Sequence, residues 1–190
     1  NRPVVVVVGA GPGVSGSVAR RFAREGYDVG LLGIDEDQLL TLAGELEALG
    51  ATVGHAVVDI TDAAATTAAI RRLGEHAGRV DVLHFNPSAF RERDPLELSV
   101  PELLEDVALG VGALLTAVQA ARPFMTAGGR VTATGSMAAD QPWHRAASLG
   151  VQNAGLRDLV RSTAARGDAV FLVYEDERWT FARFHEEVAA

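Results

Sequence analysis

Short apolar runs alternate along most of the chain with longer segments of helical periodicity. Val4–Val8 is an unbroken β-branched run, which is typical of a strand buried on both faces of a parallel sheet. Residues 14–25 place Val14, Val18 and Phe22 at helical spacing, and Gly26 would end that helix. The same alternation predicts further strands at 28–32, 52–58, 80–85 and 130–134, and further helices at 37–49, 63–76, 100–125 and 145–165.

This order of elements predicts the fold class. Strands that are separated by helices of such length need crossover connections, so the sheet should be parallel and have helices on both faces. The expected fold is therefore α/β, a doubly wound parallel sheet of the Rossmann type with three layers, α/β/α. We assign residues 1–166 to this domain. Residues 167–190 form an atypical tail whose pattern predicts a strand, a turn, a second strand and a helix from about Thr180, with the aromatic residues Phe171, Tyr174, Trp179, Phe181 and Phe184.

A glycine-rich turn joins the first strand to the first helix. Gly9, Gly11 and Gly13 would let the backbone turn tightly and leave room for a diphosphate, while the helix N-terminus offers free N–H groups. The alternative is a tight turn that binds nothing. The succession of buried strand, glycine cluster and helix favours a nucleotide site. No Lys-Ser or Lys-Thr pair follows, which excludes a Walker-type loop.

The segments "VVVVVGAGPGVSG", "VVDITD" and "GRVTATGS", in this order and spacing, resemble the short-chain dehydrogenase/reductase family. The resemblance extends from Arg2 to about Thr163. It implies an oxidoreductase that binds NAD(P)(H) and acts on a small carbonyl or alcohol. The family loop reads T-G-x-x-x-G-x-G; Gly9 and Gly13 match its first two glycines, and Ser15 stands at the third with Gly16 beside it.

The resemblance also implies contacts to the rest of the cofactor. Asp59 stands where the family carboxylate accepts from the adenine amino group; it could also be an N-cap-type turn residue before the third helix, and the two roles do not exclude one another. Gly33 and Ile34 take the positions that usually choose between NAD and NADP, and Asp35 would repel a 2′-phosphate, so we expect NAD or NADP with a lean toward NAD. The cofactor-binding candidates are Gly9, Gly11, Gly13, Val14, Ser15, Asp35, Asp59, Ile60, Asn86 and Asn153.

The family transfers hydride with an Asn-Ser-Tyr-Lys set, in which Tyr exchanges the proton and Lys lowers the Tyr pKa. The family pattern S-x12-Y-x3-K keeps Ser136 but places Leu149 at the Tyr position and Asn153 at the Lys position. Gly110 takes the Asn position. Leucine cannot donate a proton and neutral Asn153 cannot depress a pKa by charge, although it could still bond the ribose. Three of the four positions are therefore degenerate, and we expect weak or absent hydride transfer.

Another group could supply the proton. His144 and Ser148 lie between Ser136 and Leu149, and histidine titrates near neutral pH. The alternative is that "PWHR" is a solvated loop whose Trp143 covers the pocket. Whether the protein is an enzyme stays open at this point.

Three functions remain: an oxidoreductase with an altered proton donor, a silent dinucleotide-binding sensor or partner subunit, or a structural remnant. The missing Tyr and Lys disfavour the first, whereas Gly9, Gly13 and Asp59 disfavour the third.

The tail lacks the sixth-strand run G-I-R-V-N-x-V-x-P-G that the family would predict. Instead, "DAVFLVYEDERWTFARFHEEVA" resembles the opening hairpin and first helix of adenylate-forming acyl-CoA ligases. The ligase's phosphate-binding and adenylating motifs are missing, so no ligase activity is carried over. We expect a fusion, a truncation, or residues that are absent between the two parts.

Charge and composition narrow the partners. The net charge of −8 argues against a nucleic-acid groove or an anionic membrane surface. No apolar run approaches the roughly 20 residues of a membrane span. The absence of cysteine excludes thiolate chemistry and fits a reducing cytoplasm, and His55, His76 and His84 lack metal-ligand spacing. We expect a cytoplasmic protein without a metal. By the resemblance, "ALGVGALLTAVQAA" and "AASLGVQNAGLRDLV" should pair with their counterparts in a homodimer or homotetramer.

Overall fold

The computed structural model describes residues 2–141, 143–162, 170–174 and 177–180. The predicted boundary at residue 166, the helix expected after Thr180, and Phe181 and Phe184 lie outside them. The strands are β1 (Val4–Val8), β2 (Asp28–Gly33), β3 (Val53–Val57), β4 (Val80–Phe85), β5 (Met125–Ala133), β6 (Val170–Tyr174) and β7 (Glu177–Thr180). The α-helices are α1 (Val14–Arg24), α2 (Glu36–Ala48), α3 (Ala63–Ala77), α4 (Val100–Val107), α5 (Ala113–Ala121) and α6 (Ala147–Arg161).

The chain divides into two compact units. The first comprises Asn1–Pro87 and Gly112–Thr134, and the second Ser88–Val111 and Gly135–Ala190. The first unit therefore holds β1 to β5 with α1, α2, α3 and α5. The second holds α4, α6 and the antiparallel pair of β6 and β7.

The first unit is a doubly wound parallel sheet, which confirms the predicted fold class. The strand order is β3-β2-β1-β4-β5, and every neighbouring pair is parallel. On one face, Val5, Val7 and Leu31 pack in a buried cluster with residues of α1 and α2. On the other face, a Cβ on Gly30 would lie 3.1 Å from Leu73 Cδ1, so α3 packs closely there. Helices thus cover both faces, giving the expected three layers.

The first helix packs mainly through small residues, and only part of the predicted apolar stripe takes part: Phe22 packs against the core cluster. Its buried residues are small: Ser15, Gly16, Ala19 and Ala23. Val14, which was expected on the apolar stripe, is 58% exposed. Small residues allow α1 to approach the valine-rich sheet, so close packing takes precedence over the larger side chains at helical spacing.

Two further elements differ from the prediction. β5 begins at Met125 rather than residue 130, because its register against β4 shifts between Val80 and Val82 and lets the earlier residues pair. The predicted helix at 100–125 is helical to Phe124 but contains a π-helical turn at Ala108–Gly112 and a 3₁₀ turn at Arg122–Phe124.

In the second unit, α4 is fastened at its start. Ser99 and Glu102 form a capping box, and the hydrogen bonds from Ser99 lower the pKa of Glu102 to about 2. Arg91 donates to both oxygens of the buried Asp106 at 3.1 Å and to Glu105 at 3.0 Å. These ion pairs hold the loop before α4 against the helix.

Within the described part of the chain, one helical segment is long and apolar enough to cross a membrane by length and composition. Val100–Phe124 has 25 residues, and its most apolar 18-residue window has a mean hydropathy of 1.5. The prediction that no apolar run approaches a membrane span is therefore wrong, because it overlooked this helix. A third of the window is buried, and core helices of water-soluble proteins pass the same test. Length and composition alone do not identify a membrane protein.

Candidate functional site

The glycine turn after β1 is fixed by its own backbone. Gly9 has φ +79°, a conformation that favours glycine, and a Cβ there would lie 2.8 Å from Pro87 Cγ. The N–H groups of Gly9 and Ala10 both donate to Leu32 O, at 2.9 and 2.7 Å. The turn is thereby held against the end of β2, and residue 9 has no room for a side chain.

The N-terminus of α1 lacks a capping side chain. Asp35, Asp62 and Ser99 cap the N-termini of α2, α3 and α4, whereas no described side chain caps α1 at Gly13. A Cβ on Gly13 would meet no described atom within 4 Å. Uncapped N–H groups at a helix start attract anions, so open space and free donors coincide here.

Ser15 stands at the position of the third glycine of the family loop, and Gly16 lies beside it. The buried Ser15 hydroxyl oxygen accepts a hydrogen bond of 3.1 Å from Gly11 N. A Cβ on Gly16 would lie 2.5 Å from Gly11 O. The altered loop is therefore closed internally by Ser15, and the close approach that needs a glycine has moved by one position.

The end of β2 explains why the usual cofactor-selecting side chain is absent. A Cβ on Gly33 would lie 2.8 Å from Ala10 O, so no side chain fits there. Ile34 is 77% exposed. Asp35 accepts from Gln38 N and from Gln38 Nε2, each at 3.0 Å. Asp35 thus caps α2 and borders a hollow of about 270 Å³ together with Pro12 and Arg20.

Asp59 lies in an exposed turn after β3, and the buried Ile60 follows it. Its Oδ1 accepts from Thr61 N at 2.9 Å and from the Thr61 hydroxyl at 2.7 Å. These hydrogen bonds lower the pKa of Asp59 and keep it ionised. Asp59 is thus a turn residue before α3, while the N-cap of that helix is Asp62, which accepts from Ala65 N.

Asn86 follows β4 beside the glycine turn. Its N–H donates to Val8 O at 3.0 Å, so the residue is fixed at the carboxyl edge of the sheet. Its Oδ1 is buried and has no hydrogen-bond partner among the described residues. A buried acceptor of this kind needs a donor, which a hydroxyl or amino group of a ligand would supply. The first unit thus presents residues that fit a dinucleotide.

The four positions that correspond to the family Asn-Ser-Tyr-Lys set, called the tetrad below, lie in the second unit. Ser136 caps the 3₁₀ turn Met137–Ala139, and its Oγ accepts from Ala138 N at 3.2 Å. Ser136 N donates to Asn153 Oδ1 at 2.8 Å, and Asn153 Nδ2 donates to Leu149 O at 2.9 Å. Both ends of the buried Asn153 amide are therefore hydrogen-bonded to the protein itself.

Leu149 is a packing residue. It is 5% exposed and forms a small buried cluster with Ala138 and Ala146. Ser148 is also buried, and its hydroxyl lacks a partner among the described residues. His144 is exposed in the loop before α6, and Trp143 is 45% exposed. The second unit brings Ser136, Leu149 and Asn153 together, whereas His144 stays in solvent.

The structure adds Gln152, a residue that was not predicted from the sequence. Gly110 lies in the π-helical turn directly against the side chain of Gln152, which is 2% exposed. The signal that could have identified Gln152 was its position: it is a polar residue directly before Asn153, on the side of the predicted helix that is buried.

No group of three or more acidic or histidine residues in the described part of the chain could hold a metal ion. His84 lies in β4 with Nδ1 hydrogen-bonded to Thr132 Oγ1 at 2.9 Å. Burial lowers the pKa of His84.

Comparisons with known proteins agree on one family. The short chain dehydrogenase model matches residues 3–168. The oxidoreductase UcpA of Escherichia coli (strain K12) is 32% identical over 141 residues, which are 71% of this chain and 53% of that protein. A (5R,7aS)-5-hydroxy-7a-methyl-1-oxo-2,3,5,6,7,7a-hexahydro-1H-indene-carboxyl-CoA reductase of Mycobacterium tuberculosis is 31% identical over 165 residues, 85% of this chain and 63% of that one.

A solved short-chain dehydrogenase/reductase from Serratia marcescens has a TM-score of 0.82 to this chain at 28% identity, covering 86% of this chain and 68% of that one. The chain spans 53% and 63% of the two curated relatives above. Its sheet order, its glycine turn and the match over residues 3–168 are together the basis for assignment. The chain belongs to the short-chain dehydrogenase family of oxidoreductases, whose members typically bind NAD(P).

Proposed function

We propose that this chain binds a nicotinamide dinucleotide and transfers hydride weakly or not at all. The observation that carries the first half is the start of α1, where free N–H groups face open space at Gly13 while the starts of α2, α3 and α4 are capped. An anionic diphosphate is the ligand that suits such a helix end.

Different residues of the first unit would contact different parts of the dinucleotide. The N–H groups at Val14 and Ser15 would hold the diphosphate. The ionised Asp59 would accept from the adenine amino group, and the buried Asn86 Oδ1 would accept from a ligand hydroxyl or amino group. When bound, the nicotinamide would supply the hydride chemistry.

The second half of the proposal concerns the proton. Leu149 stands at the family Tyr position and has no proton to exchange, and Asn153 carries no charge that could lower a neighbour's pKa. A general acid or base is typically worth about 10²–10⁴-fold in rate. Ser136 keeps its hydroxyl hydrogen for a substrate oxygen, because its Oγ acts as an acceptor toward Ala138 N. Polarisation without proton transfer supports slow chemistry at most.

The choice of dinucleotide leans toward NAD. Gly33 has no room for a selecting side chain, and the carboxylates of Asp35 and Asp37 border the hollow next to the turn. Negative charge there disfavours the 2′-phosphate of NADP.

A second candidate function is that of a silent sensor or partner subunit in an oligomer. It is favoured by apolar side chains on the surface of the second unit: Val100 and Leu104 on α4 are 68% and 61% exposed, and Val151 on α6 is 48% exposed. Such side chains at the surface suit a homodimer or homotetramer contact.

Calorimetric titration with NAD, NADH, NADP and NADPH, followed by a turnover screen with small carbonyls and alcohols, tests the proposal. We expect saturable binding, tighter for the NAD pair, and turnover barely above the uncatalysed rate. Absence of binding to all four would overturn the first half, and turnover at rates normal for an enzyme would overturn the second.

A further inference from the structure

Gln152 holds a backbone segment of the second unit at two points. Its Nε2 donates to Ala89 O at 2.7 Å, and its Oε1 accepts from Ala89 N at 3.3 Å. Gln152 is 2% exposed, and both hydrogen bonds are partly buried. The amide thus binds Ala89 in the way that a neighbouring strand would, satisfying both backbone groups of one residue.

This arrangement depends on a glycine opposite. A Cβ on Gly110 would lie 2.5 Å from Gln152 Oε1, 3.0 Å from Gln152 Cβ and 3.1 Å from Gln152 Cδ. Distances below 3.0 Å essentially never occur for real Cβ atoms, so a side chain at residue 110 would require the Gln152 amide to shift. The present position of the amide, in which it binds Ala89, therefore depends on the absence of a side chain at residue 110.

We propose that Gly110 and Gln152 are a coupled pair, and that Gln152 is the positioning residue for Ala89. This deepens the proposed function, on which it rests in one respect: residue 110 is the tetrad position that corresponds to the family Asn. In this chain the side-chain amide belongs to Gln152 on α6 and not to residue 110 in the π-helical turn, and it binds the backbone of Ala89. The degenerate state at residue 110 is thereby locked by packing, and an Asn at residue 110 requires a smaller residue at 152.

A double-mutant cycle tests the coupling on the ligand-free protein. Alanine is a better helix former than glycine, so Gly110→Ala should be favourable unless it collides with Gln152. We expect Gly110→Ala to lower the unfolding midpoint of the natural chain and to raise it in a Gln152→Ala background. A reversal of sign is the expected signature. A shift of the same sign and size in both backgrounds would overturn the coupling.

Amide hydrogen exchange at Ala89 tests the positioning role. Gln152→Met keeps the side-chain volume but removes both hydrogen bonds, so the Ala89 amide should exchange at least about tenfold faster in that variant. Val151→Met, at the exposed neighbouring position, is the matched control and should leave Ala89 unchanged. Equal exchange of Ala89 in Gln152→Met and the natural chain would overturn the positioning role. Neither measurement involves a dinucleotide, so a failure of cofactor binding would not affect the result.

Discussion

Asn153 Oδ1 accepts a hydrogen bond of 2.8 Å from Ser136 N. Asn153, which the sequence comparison predicts at the family Lys position, therefore fixes the backbone of Ser136, the residue that matches the family Ser. Asn153 Nδ2 also donates to Leu149 O, so the side-chain amide of Asn153 links Ser136 and Leu149. These three residues therefore make structural contacts with one another.

These contacts determine what we expect when the family residues are restored at positions 149 and 153. The double variant Leu149→Tyr with Asn153→Lys should recover part of the roughly 10²–10⁴-fold that a general acid contributes. It should also lose stability, because Tyr overfills the cluster of Ala138 and Ala146 and the Lys leaves Ser136 N unpaired. We expect a loss of about 2–4 kcal/mol in the free energy of unfolding. Denaturant titration and a dinucleotide-coupled assay measure the two effects.

Ala68→Lys is the control for this variant, because it adds the same charge to an exposed position of α3. It should change neither stability by more than about 0.5 kcal/mol nor turnover. A restored pair that is as stable as the natural chain would contradict the structural role of Asn153.

His144 should not act as the proton donor. It is exposed in the loop before α6, and no hydrogen bond orients it among the described contacts. We expect His144→Ala to leave turnover and dinucleotide affinity within twofold of the natural chain, a change of under about 0.4 kcal/mol. Abolished turnover in this variant, with turnover of the natural chain at normal enzymatic rates, would identify a different donor from the family's.

His84 should make the fold less stable in acid. Burial lowers its pKa in the folded state below that of the unfolded chain, so the unfolded chain binds the proton first as the pH falls. The contribution of neutral His84 is complete above about pH 6.5 and is lost progressively below it. His84→Gln, which does not titrate, should show a shallower loss of unfolding free energy between pH 6.5 and 5. Identical slopes for the two proteins would refute the assignment.

The natural chain should associate at micromolar concentration. The exposed Leu104 on α4 would be buried in such a contact, so Leu104→Glu should shift the sedimentation profile toward monomer. Leu96→Glu is the matched control, because Leu96 is 97% exposed in a turn and should have no effect. A monomeric natural chain would refute association itself.

The sheet and its order of elements follow from local pattern. Val4–Val8 is the strand that its unbroken apolar run predicts, because strands buried on both faces need such sequence. Residues 80–85 also form the predicted strand, although Asp81 and His84 interrupt its apolar run. The packing face of α1 and the early start of β5 do not follow. Ser15 and Gly16 are buried because the sheet lies close, and the register shift at Val80 depends on a neighbouring strand. Neither is visible within a single segment.

The candidate site divides in the same way. Gly9 is predictable because a turn between strand and helix needs glycine where φ is positive, and Gly13 because a diphosphate site at a helix start needs open space. The roles of Asp35, Asn153 and Gln152 are set by partners distant in the chain or by a helix end, which residue spacing does not reveal. The sequence therefore predicts which family positions carry other residues, and the structure shows which contacts those residues make.

The most direct test of the account is dinucleotide affinity in Gly13→Val. Residue 13 has no described atom within 4 Å of a Cβ, so the added side chain would fill only the space that the diphosphate needs. Gly44→Val, on the open side of α2, adds the same group where it also meets nothing. We predict that Gly13→Val weakens dinucleotide binding at least tenfold, about 1.4 kcal/mol, while its unfolding free energy stays within about 1 kcal/mol of that of Gly44→Val, which binds normally. Equal affinity of the two variants in calorimetric titration would contradict a dinucleotide site at the glycine turn.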